Sequence, residues 1–279
     1  MKTIVPLHVR IAGSGFPILC VHGHPGSSGC MSVFTAHLSR RFRTLAPDLR
    51  GYGRSRPPGA FSMDVHLLDL QALLDRLEID RCLILGWSLG GIIAMELAAT
   101  QPQRVAGMIL LGTAARPRGK HPPTDWADLL NTGIASALNW IRPGWQWNID
   151  TFGKRSLYRY LMTQQTPAAY RFLAAEGTAA YLQTSIAAHQ ALAERNKGYD
   201  GRSYLQNIRC PALVLAGEDD RHISVESSQE TARHLPNAQW QSYPRAAHLF
   251  PWEIPERVLD DIDRWLDRHR HLWHEGRGD

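Results

Sequence analysis

Apolar residues gather into short continuous runs near both ends of the chain, separated by stretches of helical spacing. Phe16-Pro17-Ile18-Leu19-Cys20-Val21 is such a run, and residues 44–49, 82–86, 105–111 and 212–217 repeat the pattern. Runs this short, bounded by Gly, Pro or charge, predict strands covered on both faces. Residues 7–12 predict a short edge strand before the Gly13-Ser14-Gly15 turn, and residues 238–243 predict a last strand. Helices are predicted over about 29–41, 62–78, from the end of the 82–86 strand to Pro102, 224–235 and 255–270. In the second of these, Leu67, Leu70, Leu74 and Leu77 line one helical face. Strands alternating with helices imply an α/β fold with a mostly parallel sheet covered by helices on both faces.

From about residue 116 to 205 the alternation stops. Several helices with irregular links carry Trp126, Trp140, Trp145, Trp147, Tyr158, Tyr160, Tyr170, Phe172 and Tyr181. The expected organisation is a core made of residues 1–115 and 206–279, with 116–205 inserted as a helical cap. The four tryptophans are expected either to wall a pocket from the cap's inner face or to form the cap's own small core. Trp140 and Trp145, with Trp87, are the candidate substrate contacts.

At 279 residues with 44% hydrophobic content, the chain suits one large domain with an insertion. No stretch is long and apolar enough to span a bilayer. Pro6, His8 and Arg10 break the first residues before a signal core could form, so a cytoplasmic location is expected. Cys20, Cys82 and Cys210 fall in predicted buried strands and read as small core residues; Cys30 falls on a predicted helix. No motif calls for a metal, a cofactor or nucleic acid. The cap holds 11 Lys and Arg against 6 Asp and Glu, an excess equal to the whole chain's +5. Solvated helix faces account for such an excess; the partner it would otherwise suit is an acidic acyl carrier protein or an anionic substrate. Gly276-Arg277-Gly278-Asp279 reads as a frayed end.

The chemistry centres on Gly86-Trp87-Ser88-Leu89-Gly90, where a predicted strand stops and a helix begins. Gly-x-Ser-x-Gly at a strand-to-helix turn is a nucleophile elbow: the glycines permit a turn too tight for side chains, and the serine is left exposed at a helix N-terminus. Ser88 then needs a base, and 13 histidines compete. His248 follows the last strand, at the sheet edge where sites form in parallel sheets. His222, His234, His269, His271 and His274 fall on predicted helices or tail and are expected to be exposed. Gly217-Glu218-Asp219-Asp220 ends the preceding strand at the same edge and supplies an acid to orient the base.

These motifs resemble the α/β-hydrolase superfamily over most of the chain outside the cap. His22-Gly23-His24-Pro25-Gly26 is similar to its oxyanion loop, and Asp48-Leu49-Arg50-Gly51-Tyr52-Gly53-Arg54-Ser55 to its second signature. The resemblance implies a triad of Ser88, Asp220 and His248, choosing Asp220 over Asp219 by its distance from Gly217. It also implies an oxyanion hole of the His24 and Leu89 backbone N–H groups, and structural roles for Asp48, Arg50 and Gly51. Within the superfamily the chain looks most like small carboxylesterases, including those acting on pimeloyl-carrier-protein methyl esters, and enol-lactone hydrolases. The implied activity is hydrolysis of an ester or thioester by a cofactor-free serine enzyme. Acyl transfer, lactone opening and carbon–carbon bond hydrolysis are the alternatives on the same triad; a non-catalytic receptor of the same fold is the alternative outside enzymes.

Overall fold

The computed structural model describes residues 3–120 and 122–273. His274 and the Arg277-Gly278-Asp279 string lie outside the described residues. Seven strands form one sheet: β1 (Val9–Ala12), β2 (Pro17–Val21), β3 (Arg43–Pro47), β4 (Cys82–Trp87), β5 (Val105–Leu111), β6 (Ala212–Gly217) and β7 (Ala238–Tyr243). Their order is β1-β3-β2-β4-β5-β6-β7, with β1 antiparallel to β3 and every other neighbouring pair parallel. The runs that read as buried on both faces behave so: every residue of β4, β5 and β6 is buried. β1 and β7 are the edges, β1 largely exposed and β7 half-buried, and β7 carries Gln239 and Gln241 among its apolar positions.

Helices cover both faces because the strands are apolar on both. One side packs under α2 (Val65–Arg76) and α3 (Leu89–Thr100); the other packs around Phe34 of α1 (Ser32–Leu38) and Trp265 of the helix Pro255–Arg268. Between β5 and β6 the chain leaves the sheet and forms a block of helices beginning with α4 (Trp126–Ile141). Asp125 caps α4 reciprocally with Asp128, a local reason for the helix to start there. Among the described residues no helix is long and apolar enough to cross a membrane.

Two local readings change. The helix expected over 29–41 opens as a 3-10 turn, Ser28–Met31, before α1, a form frequent at the N-terminal ends of α-helices. Cys210 stands outside β6 and is half-exposed, because Pro211 next to it has no N–H to give a ladder. Cys20 and Cys82 are buried strand residues, and burial pushes both thiols up to about 12.

The strand order places the site. After β2 the chain moves outward to β3, then returns to the other side of β2 as β4. That reversal opens a crevice beyond the carboxyl ends of β2 and β4, and ligands of open parallel sheets bind at such a switch point. The His22–Ser27 loop and Ser88 emerge at this crevice.

Candidate active site

Ser88 is held with φ 53° and ψ −118°, a left-handed backbone that a non-glycine residue adopts only when its surroundings enforce it. The enforcement is visible at two glycines. A Cβ on Gly86 would strike the Gly90 carbonyl oxygen, and one on Gly90 would strike that of Val21. Ser88 N–H donates to Leu111 O of β5 at 2.8 Å, fixing the turn to the sheet. Leu89 opens α3, so its N–H has no carbonyl one turn back within the helix.

His248 lies on the loop after β7, 5% exposed. Its Nε2 is 3.1 Å from Ser88 Oγ, and its Nδ1 is 2.7 Å from Asp220 Oδ2. The other Asp220 oxygen accepts the N–H groups of His222 and Ile223 at 2.8 and 2.9 Å, which locks the carboxylate's orientation. Asp219 turns the other way, exposed, and accepts from Thr163 Oγ1 at 3.0 Å. Hydroxyl, imidazole and buried carboxylate thus form one connected line. Such a line can withdraw a proton from the hydroxyl as it attacks and stabilise the imidazolium that results.

Around Ser88 opens a cavity of about 700 Å³, walled by both core and cap. His24 and Leu89 line it together with Ser88. Trp87 lines it as well, its ring 5.4 Å from that of His248 and its Nε1–H donating to His248 O at 3.4 Å. The cap contributes Phe172, Leu173, Tyr158 and Leu129. Phe172 stacks on Trp252 with centroids 4.4 Å apart, joining cap to core. Among the described residues lining the cavity there is no Asp, Glu, Lys or Arg. Of its histidines, His24 is pushed down to about 4 by burial and by the charges of His189 and His22.

A family model described as the alpha/beta hydrolase fold matches residues 17–255. The chain belongs to this family of hydrolases. It is 26% identical to the pimeloyl-[acyl-carrier protein] methyl ester esterase of Nitrosomonas europaea, over 92% of this chain and 98% of that one. It is 29% identical to the 2-hydroxy-6-oxononadienedioate/2-hydroxy-6-oxononatrienedioate hydrolase of Cupriavidus pinatubonensis, over 88% and 86%. A thermophilic esterase from Thermogutta terrifontis superposes with a TM-score of 0.73 at 28% identity, over 96% of this chain and 94% of that one.

Other residues of this hydrolase stand where the sequence did not place them. Trp140 and Trp145 are expected as pocket contacts and line no part of the cavity. Trp140, like Trp126, is 76% exposed on the outer side of α4, and Trp145 packs against Trp147 under the Arg142 guanidinium. The physical reason is that α4 is anchored to the cap by polar side chains, which turns its apolar stripe outward. His222, expected to be exposed on a helix, is a half-buried loop residue whose ring lies 5.3 Å from that of His248. His234 is half-buried on a helix and His269 half-buried just past the end of one, each with Nδ1 against the backbone of its helix.

The second signature braces the His22–Ser27 loop. Asp48 accepts the N–H groups of Ser28 and Arg54 at 2.6 and 2.9 Å; burial raises its carboxyl, and those donors outweigh burial to hold it below the usual range. Arg50 grips Asp69 through two hydrogen bonds, and Gly51 takes the left-handed φ of 88° that the turn requires. Buried His22 accepts the Leu49 N–H through Nε2 at 3.1 Å, while its Nδ1–H donates to Gly23 O at 2.7 Å. Glu253, unnoticed in the sequence, accepts N–H groups of Ala247, Thr163 and Gln164 at 2.8, 2.9 and 2.5 Å. Among the described residues no cluster of three or more His, Cys, Asp or Glu is placed to hold a metal ion.

Proposed function

We propose that the protein is a serine hydrolase that cleaves a carboxylic ester or thioester with an uncharged, apolar acyl group. The observation carrying the proposal is the alignment of His248 between Ser88 Oγ and Asp220, at 3.1 and 2.7 Å. Ser88 Oγ attacks the acyl carbon while His248 Nε2 takes its proton. The backbone N–H groups of Leu89 and His24 stabilise the tetrahedral oxyanion, and Asp220 holds the imidazole and balances its charge. As the intermediate collapses, the leaving alcohol or thiol takes the proton from His248. Water, deprotonated by the same imidazole, then attacks the acyl-Ser88 ester and releases the acid.

The cavity wall favours this reading over carbon–carbon bond hydrolysis of a dioate. A substrate with two carboxylates, as the name of the Cupriavidus relative implies for that enzyme, would meet no cationic Lys or Arg among the described lining residues. Burying unpaired carboxylates in an apolar cavity costs several kcal/mol. An acidic acyl carrier protein as bearer of the acyl group is the finer reading that the cap's positive excess and the name of the Nitrosomonas relative support. Its mark would be a salt dependence of kcat/KM for carrier-linked substrates that small neutral esters lack.

The deciding experiment is labelling with a fluorophosphonate probe, mapped by peptide mass, alongside a panel of p-nitrophenyl esters of graded acyl length. Modification at Ser88 with turnover of apolar esters is expected. Folded protein that neither labels at Ser88 nor hydrolyses any member of the panel would overturn the proposal.

A further inference from the structure

The helix α4 is built inside out. Its cap-facing stripe is polar apart from Ala135: Asp128 pairs with Arg159, and Thr132 Oγ1 accepts the Leu157 N–H at 2.9 Å. Further along, Ser136 Oγ lies 2.6 Å from Tyr158 Oη, and Asn139 Nδ2 donates to Tyr170 O at 2.7 Å. The exposed stripe beside it carries Trp126, Leu129, Leu130, Trp140 and Ile141. Trp126 and Trp140 near its two ends are 76% exposed and Ile141 72%. An ordinary surface helix shows the reverse arrangement. Single apolar residues on a surface need no explanation, but a helix-long face of them marks a contact surface.

We propose that this outer face of α4 docks onto an anionic lipid–water interface. Three observations choose that occupant. First, the face is continuous with the mouth of the catalytic cavity: Leu129, Gly133 and Tyr181 are both exposed and part of the cavity wall. An interface resting there lets an acyl chain pass from an apolar phase into the apolar cavity without crossing water. Second, tryptophans close both ends of the stripe, and their amphipathic rings suit the headgroup level of a bilayer. Third, the charge beside the C-terminal end of the stripe is positive. Arg142 follows Ile141, Arg171 packs beside Gly144, and among the described residues neither forms an ion pair with a carboxylate. The block 116–205 as a whole has 11 Lys and Arg to 6 Asp and Glu. Two copies meeting through this face would bring two basic caps together, whereas anionic headgroups neutralise them.

The test is flotation of the full chain with vesicles of phosphatidylcholine mixed with phosphatidylglycerol, and with phosphatidylcholine alone. The protein should float with the mixed vesicles and fall away when salt is raised or the anionic lipid is omitted. Trp126→Ser combined with Trp140→Ser should lower retention at least tenfold, and Arg142→Glu should lower it several-fold. Both variants alter exposed side chains, so unchanged melting temperatures are expected and serve as the folding check. Because binding is read without turnover, the result stands apart from the proposed reaction. No retention on mixed vesicles, equal retention on neutral ones, or full retention by the double variant would each overturn the proposal. A dimer in sedimentation equilibrium that the double variant abolishes, with no vesicle binding, would assign the face to a second copy instead.

Discussion

Glu253 Oε1 accepts the Ala247 N–H at 2.8 Å, one residue before His248. Its other oxygen accepts from Thr163 and Gln164 of the helical block between β5 and β6, so a single buried carboxylate ties the His248 loop to that block. Glu253→Gln keeps the volume but turns one acceptor into an N–H₂ donor, which must then face a backbone N–H. We expect kcat for a short ester to fall roughly ten- to a hundredfold through displacement of His248, with little change in KM. Burial, the largest influence, pushes the Glu253 carboxyl up from 4.5 to about 6, against the pull of those three donors. A folded pKa above the unfolded one means that stability from this group is full below pH 4.5 and is lost as pH rises through about 6. The glutamine variant should lack that decline. Steady-state kinetics and melting curves from pH 4.5 to 7 check both halves; parent-like kcat would show the brace to be dispensable.

The two adjacent acids separate cleanly. Asp220→Asn should cost roughly 10⁴ in kcat, because an amide cannot hold the imidazole in its working tautomer or balance imidazolium. Asp219→Asn should cost less than tenfold, since Asp219 faces Thr163 and its replacement can still accept that hydroxyl. Parallel kinetics on the two purified variants decide the matter, and the reverse ranking would remove Asp220 from the mechanism.

The core could be read from sequence because its signals are local. A continuous apolar run has to be buried, and Gly86 and Gly90 are demanded by a turn spanning five residues. The choice between Asp219 and Asp220 rested on the resemblance, through the distance from Gly217, because the strand pattern alone leaves two adjacent acids open; Asp220 is the one whose carboxylate lies against His248. Cap geometry was not legible. Helical periodicity shows that α4 has an apolar stripe, but not which stripe the rest of the protein covers; Asp128, Thr132, Ser136 and Asn139 settled that by finding partners at long range. Glu253 left a signal that went unread: a carboxylate at the end of Leu249-Phe250-Pro251-Trp252, an otherwise apolar segment, has to find donors.

Gly133 lies within α4, and a Cβ added there would meet nothing within 4 Å. Its backbone has no positive φ to excuse the glycine, so the residue only enlarges the entropy lost on folding. Gly133→Ala should stabilise the protein by about 1 kcal/mol, raising the melting temperature by about 2 °C. Differential scanning calorimetry measures this directly; a lower melting temperature would mean that the outer face of α4 is packed in solution.

The last prediction concerns acid. His66 is buried near Tyr52 and Phe61, with ring centroids 6.2 and 5.6 Å away, and neither ring nitrogen meets a hydrogen-bond partner among the described residues. Burial first, then the charges of His22, Arg50 and Arg195, push it down from 6.5 to about 3. Burial likewise pushes His22 and His24 down to about 4. With folded pKa values below the unfolded one, the unfolded chain binds protons that the folded chain refuses. The stability these groups contribute is therefore complete above pH 6.5 and drains away as pH falls toward 4. Three such groups make the steepest slope about 4 kcal/mol per pH unit, of which Glu253 offsets about one proton's worth. His66→Leu, close in volume and without polar atoms, removes the most strongly shifted member. Its melting temperature should exceed the parent's at pH 5 and approach it as pH rises to 8. A smaller gain should persist even there, because two unsatisfied nitrogens are gone. Melting curves for parent and variant across that range test the assignment. If the two profiles run parallel, His66 is not a group that resists protonation, and the acid sensitivity belongs to His22 and His24.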